Sequence, residues 1–325
     1  MSLNNKQGFE FSFGWIFALL FGAVIIFLAV YMAFNIVAGE RRASDVGLTK
    51  SFDTLLYPVG TGLESNKVTQ ITFPVETRLM FQCNSNGDFG EQIIKTSASS
   101  SLGNKYSQNP INVKSKDKYI FAGSSIEGKD FLTFVQPLNL PFDVADLVYF
   151  ISAKQKYCFI VSKTSSVGKE LDNLKKNNYY FNKSVFIGDL NDCPADSNKV
   201  CFNSGAGSNC NISISGNQVI KGNKIVYFDG GEIGNSLLYA AVFSESDYYE
   251  CQVKRLNKRA SELAKLYIEK QKMSPAGCGL GLGAALETYA NLTKNFNNTK
   301  NSLGDVVSLA KEIRRQNEEL SCPLF

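Results

Sequence analysis

The chain has no histidine in 325 residues, and that absence removes more chemistry than any other feature of the composition. Without imidazole there is no Ser-His-Asp or Cys-His relay, no histidine-ligated zinc or haem, and no histidine pH switch. Tryptophan is nearly missing, with Trp15 the single example. No two cysteines stand at C-x-x-C spacing, so the short motifs of zinc ribbons and thiol exchange are missing too. Nor is there a surplus of one charge. Thirty-four Lys and Arg against 30 Asp and Glu leave +4, too near balance for the basic face of a nucleic-acid binder, and no nucleic-acid partner is expected. The rest of the composition, 44% hydrophobic and 20% charged, is globular and leaves room for two or three packed units.

What the chain does have is one long apolar run near its start. Residues 11–39 carry no charged side chain, and at about 1.5 Å per residue the stretch from Phe11 to Phe34 exceeds about 30 Å of hydrocarbon. Trp15, Phe17, Leu20, Phe21, Val24, Ile25, Phe27 and Leu28 leave no polar side on a helix. The reading is a transmembrane helix with the lipid bilayer as its partner. No A-x-A site follows, so the segment is expected to stay as an anchor and not to leave as a secretory peptide.

Lys6 lies before this run and Arg41, Arg42 and Lys50 lie after it, a count that by itself favours a cytoplasmic body. The cysteines argue the other way. Cys83, Cys158, Cys193, Cys201, Cys210, Cys251, Cys278 and Cys322 are even in number and widely spaced, as structural disulfides of an oxidising exterior are. Sequons at Asn182, Asn211, Asn291 and Asn297 agree, and long domains translocate largely regardless of flanking charge. The expected topology is single-pass, with the amino terminus cytoplasmic and the main domain extracytoplasmic.

The order Lys6-Gln7-Gly8-Phe9, a short polar leader running directly into the apolar helix, resembles the leaders of type IV pilins and of archaeal surface proteins with class III signal peptides. The resemblance covers about the first 40 residues. It implies cleavage on the cytoplasmic side between Gly8 and Phe9, with the helix retained as anchor and assembly stalk. The family places a glutamate five residues into the mature chain; here that position is Phe13, and the acidic residue is Glu10. A processed leader and a plain uncleaved anchor both fit.

The remaining sequence reads as α+β. Residues 1–10 form the cytoplasmic leader, 11–39 the transmembrane helix, 40–58 a juxtamembrane stalk with Val46, Phe52, Leu55 and Leu56 near one face, 59–243 a β-rich and small α/β exterior domain, and 244–325 a three-helix bundle. Alternating and apolar runs between 68 and 162 predict strands, with a long polar loop at 96–118. A helix at 167–176 between strands at 157–161 and 184–188 predicts a parallel crossover, and 224–228 and 237–243 read as further strands. Ser244 with Asp247, and Ser302 with Asp305, predict helix caps. Tyr249, Val253, Leu256, Ala260, Leu263 and Tyr267 form one helical seam, and Leu303, Val306, Ala310, Ile313 and Leu320 another that Asn317 interrupts. Three helices folding back on one another bring Cys278 to Cys322, the bridge expected first.

Candidate chemistry is sparse. The run Gly277, Gly279, Gly281, Gly283 follows a long helix and not a strand, so it predicts an interhelical turn and no dinucleotide site. Asp189, Asn191, Asp192, Asp196 and Asn198 offer oxygen ligands, but the EF-hand glycine and final glutamate are missing and Cys193-Pro194 breaks the spacing. Cys193, Cys201 and Cys210 are expected to staple this loop. Asp229-Gly-Gly-Glu232 follows a strand, where α/β sheets place ligands, so Asp189, Asp229 and Glu232 are the candidate ligand residues. Lys254, Arg255, Lys258, Arg259 and Lys265 read as a solvated helix face. No cofactor, metal or catalytic residue is assigned. The expected role is structural, adhesive or protein-binding, through a protein partner or self-assembly; the alternative is an anchored exterior enzyme using those carboxylates.

Overall fold

The computed structural model describes residues 14–34, 67–99, 106, 110–176, 178–203, 209–274 and 278–325. The leader with Gly8 and Phe9, the stalk at 40–58 and Gly277 lie outside them. Helix α1 (Gly14–Phe34) has a mean hydropathy of 2.7 over its most apolar stretch, of which 0% is buried by the other described residues. A core helix would be covered; this one is long and apolar enough to cross a membrane.

The first sheet contains β1 (Val68–Asn84), β2 (Glu91–Ala98), β3 (Ile111–Ser115), β4 (Tyr119–Phe121), β5 (Ser125–Asn139) and β6 (Asp143–Ser152), in the order β3-β2-β1-β5-β6-β4. All pairs are antiparallel except β4 with β6. Its two edge strands, β3 and β4, are joined by residues 116–118 alone. In a flat sheet they would stand about 24 Å apart, five spacings of about 4.8 Å, which so short a link cannot reach. The sheet therefore rolls up. Phe73, Phe81, Ile94, Ile120, Phe131 and Phe150 fill the inside of the roll, and a break in register between Thr72 and Thr77 on β1 accompanies the bend. The residues expected as one loop at 96–118 instead carry the end of β2 and all of β3. These strands are polar, because Thr96 and Ser97 are buried without being apolar, so no alternation marks them.

The second sheet contains β7 (Tyr157–Ile160), β8 (Val185–Gly188), β9 (Asn198–Phe202), β10 (Ile212–Ser215), β11 (Gln218–Lys221) and β12 (Lys224–Tyr227), in the order β12-β11-β10-β9-β7-β8. Helices α2 (Ser166–Lys176) and α3 (Tyr179–Ser184) carry the chain from β7 to β8, which pair in parallel as the strand-helix-strand order requires. Asn178 caps α3 by accepting from the Phe181 amide.

Residues expected as a strand at 237–243 are α4 (Ser236–Phe243), and all eight of its residues are buried. A helix covered on every side shows no apolar stripe, and Leu-Leu-Tyr-Ala-Ala-Val-Phe reads equally well as a buried strand. Three helices follow, α5 (Ser246–Met273), α6 (Gly283–Lys294) and α7 (Lys300–Glu318). Their caps differ from expectation. Glu245 precedes α5, while Ser244 donates back to the Ala240 carbonyl and closes α4; Thr299, not Ser302, caps α7. Helix α5 packs on β1, β4, β6 and β12 as well as on α6, and α7 packs on α6. One buried core runs from Phe121, Phe134 and Tyr149 through Tyr239 and Phe243 to Tyr289 and Ile313, so the helices share the core of the sheets and do not enclose one of their own.

All eight cysteines are paired, as Cys83–Cys251, Cys158–Cys193, Cys201–Cys210 and Cys278–Cys322. The last joins the turn before α6 to the tail after α7. The turn is tight because Gly279 and Gly281 adopt φ of 74° and 91°, backbone that only glycine takes without strain. Asn317, the polar break in the α7 stripe, is buried and holds that tail, donating to Phe325 O and accepting from Leu324 N, each at 2.6 Å.

Candidate functional site

The loop after β12 turns sharply through Gly230, Gly231 and Gly234, all at positive φ. It lays Asp229 and Glu232 against α7. Between them is a groove of about 340 Å³, lined by Asn217, Phe228, Asp229, Glu232, Val307 and Lys311 among others. Asp229 is 6% exposed. Its Oδ2 accepts the Ile233 amide at 2.8 Å, while Oδ1 is buried without a hydrogen-bond partner. Burial raises its pKa to about 6, against the opposing pull of nearby backbone amides and of Lys311. Glu232 is exposed and forms an ion pair with Lys311.

Asp189 does not join this group. It follows β8, at one edge of the second sheet, and Asp229 follows β12, at the other, so about 24 Å of sheet separates them. Asp189 belongs to a short 3₁₀ turn in which Asp192 Oδ2 accepts the Asp189 amide at 3.2 Å. Asp196, the other loop carboxylate, is taken by Lys156 at 2.7 Å. Cys193 ties the loop to β7 through Cys158, and Cys201–Cys210 spans the connection from β9 to β10. Among the described residues no group of three or more metal-binding side chains is assembled.

The most elaborate polar constellation lies where a solvated helix face is expected. Tyr248, Gln252 and Arg255 fall on one side of α5, adjacent to the apolar seam, and face the open edge of the rolled sheet. Arg255 is 0% exposed. Its guanidinium donates to Phe89 O (3.2 Å), Lys118 O (3.1 Å), Lys116 O (3.0 Å), Ser115 O (3.4 Å) and Gln252 Oε1 (2.6 Å), and lies 4.8 Å from the centre of the Tyr119 ring. Gln92 Oε1 accepts from Ile120 N and Gln252 Nε2, and Tyr248 Oη donates to Ile120 O. These side chains replace the ladder that β3 and β4 do not make with each other. A Cβ at Gly90 would collide with the Asn84 carbonyl and stand 2.9 Å from Arg255 Cγ, so the cation is reached only past a glycine. Lys258 donates to Ser85 O and Gly87 O, and Arg259 to Val144 O. The expected solvated face is therefore largely an internal clamp. The available signal was the i, i+4, i+7 spacing of Tyr248, Gln252 and Arg255 beside a complete apolar seam, which marks a helix buried on two sides.

Half-buried polar groups also join elements. Glu170 accepts from Asn235 Nδ2 at 2.8 Å and Tyr239 Oη at 2.9 Å, fastening α2 to α4. Lys221 donates to Val242 O and Ser244 O at the end of α4, and burial lowers its pKa to about 8. No protein-family model, curated protein or solved structure matches the chain, so a functional reading rests on these residues.

Asp229 makes one prediction. Its folded pKa, about 6, lies above the unfolded value of about 3.9. Between those values the unfolded chain has released its proton and the folded chain retains it, so this group's contribution to stability falls as pH rises from about 4 to about 6 and stays low above. Asp229→Asn keeps the carbonyl that the Ile233 amide needs and removes the ionisation. Relative to wild type, the variant should gain roughly 2–3 kcal/mol on going from pH 4 to pH 7, read as the difference between their denaturation midpoints. An equal difference at both pH values would contradict it.

Proposed function

We propose that this chain is a single-pass cell-surface protein, anchored by α1 with its amino terminus in the cytoplasm, whose exterior body has a structural, adhesive or protein-binding role through a protein partner or self-assembly. The observation that carries this reading is the combination of an apolar helix that no other described residue covers with a body in which every cysteine is in a disulfide. Such bridges persist in an oxidising compartment and are rare in the cytosol.

The chemistry of the body supports binding over catalysis. A catalytic pair of carboxylates needs two groups converging on one reacting atom with separated pKa values. Asp189 is remote, Glu232 is neutralised by Lys311, and the free oxygen of Asp229 is sealed from solvent. The polar groups of the interior instead lock helix to sheet.

With this goes the pilin-like leader, cut between Gly8 and Phe9. Membranes carrying the full chain, washed at alkaline pH, should retain it, and the mass of its amino-terminal peptide should match a chain beginning at Phe9. Release by the wash would overturn the anchor. An amino-terminal peptide beginning at Met1 or Ser2 would leave an uncleaved signal anchor in place of the processed leader.

A further inference from the structure

The four sequons differ sharply in what the fold allows. All four asparagines are exposed, but the glycan-transferring enzyme must also reach the hydroxyl two residues on, so the acceptor has to lie on accessible, non-helical chain. Asn182 sits within α3, and its Ser184 is 1% exposed and bonded to Ala153 O. Asn291 sits within α6, and its Thr293 is 0% exposed and donates to Tyr289 O at 2.7 Å. Asn211 lies between Cys210 and β10, its Oδ1 accepts the Lys199 amide at 2.9 Å, and its Ser213 is 5% exposed. Each of these three has its hydroxyl buried.

Asn297 is different. It lies in the turn between α6 and α7, its side chain makes no hydrogen bond among the described residues, and both Asn297 and Thr299 are exposed. The Thr299 amide donates to Asn297 O at 2.6 Å, which folds the sequon into a tight turn. Thr299 Oγ1 accepts from the Ser302 amide at 3.2 Å, so its hydroxyl hydrogen remains available for recognition.

We infer that Asn297 is an N-glycan acceptor. This rests on the exterior placement of the body proposed above. The donor is a lipid-phosphate-linked oligosaccharide. The Asn297 Nδ2 attacks the anomeric carbon, a C–N bond forms, the C–O bond to phosphate breaks, and the lipid phosphate leaves with the electron pair. The amide proton passes to a base on the transferase. The glycan then stands on the end of the body where α6 turns into α7, a bulky polar group on an already polar turn.

The test is peptide mapping of the full chain purified from the membranes of the cells that naturally make it. Trypsin cuts after Lys294 and Lys300, so residues 295–300 separate Asn297 from Asn291. That fragment should carry a sugar mass on most of its copies. The mass should vanish in Asn297→Gln and in Thr299→Ala and persist in Thr299→Ser, which keeps both the hydroxyl and the α7 cap. An unmodified fragment, or sugar found only at Asn182, Asn211 or Asn291, would overturn the assignment. Labelling intact cells with an impermeant lysine reagent in parallel separates the two levels. An unmodified fragment on a labelled body removes the glycan alone, whereas an unmodified fragment on an unlabelled body removes the exterior placement as well.

Discussion

Replacing Arg255 by methionine should destabilise the body by about 4 kcal/mol, the scale for stranding buried polar partners when one side of a buried charged network is removed. Methionine fills similar volume, so the loss comes from the carbonyls of Phe89, Ser115, Lys116 and Lys118, which lose their donor where β3 meets β4. Arg255→Lys should recover only part of it, because one ammonium cannot span carbonyls that a planar fork reaches together. Arg315 is the control. It forms ion pairs with Glu312 and Glu319, each at 2.6 Å, but on the exposed side of α7, and Arg315→Met should leave the denaturation midpoint unchanged. Far-UV circular dichroism is the readout, since the single tryptophan lies in α1 and does not report on the body.

Removing the Cys83–Cys251 bridge should cost still more. It closes 168 residues, the longest loop of the four, by tying the end of β1 to the first turns of α5. Chain entropy gives about 5 kcal/mol for a loop of that length, against about 4 kcal/mol for the 44-residue loop of Cys278–Cys322. The bridge sits one helical turn from Arg255 on the same helix, so the two losses should not add. The double variant C83A/C251A combined with R255M should fall short of the summed effects by more than 0.5 kcal/mol. Simple additivity would show that the bridge and the guanidinium do not act on one joint.

The α5 seam and one bridge could be read from the chain, and the joint between α5 and the first sheet could not. The α5 seam of Tyr249, Val253, Leu256 and Ala260 follows helical period and is buried as that period implies. Cys278 and Cys322 were placed together by helix lengths and a polar turn, and the structure joins them. The α4 residues failed for the opposite reason, since a helix buried all round carries no period. The roll of the first sheet was hidden because it depends on strand order: β3 and β4 are neighbours in sequence and opposite edges in the sheet. Arg255 is hidden for the same cause. A cation on a charged helix looks solvated until the backbone that covers it has been placed. In the groove, Asp229 and Glu232 came together because four consecutive positions made them neighbours, whereas Asp189 could be excluded only once the edges of the second sheet were known.

The claim on which the rest depends is that the body lies outside the cell. Intact cells treated with a membrane-impermeant amine reagent, then lysed and mapped, test it directly. Lys114, Lys154 and Lys272 have the most exposed side chains of the paired lysines, at 60, 63 and 64%, apart from Lys176. The account predicts that they are modified to the same extent before and after lysis. Modification only after lysis would place the body in the cytoplasm and contradict it.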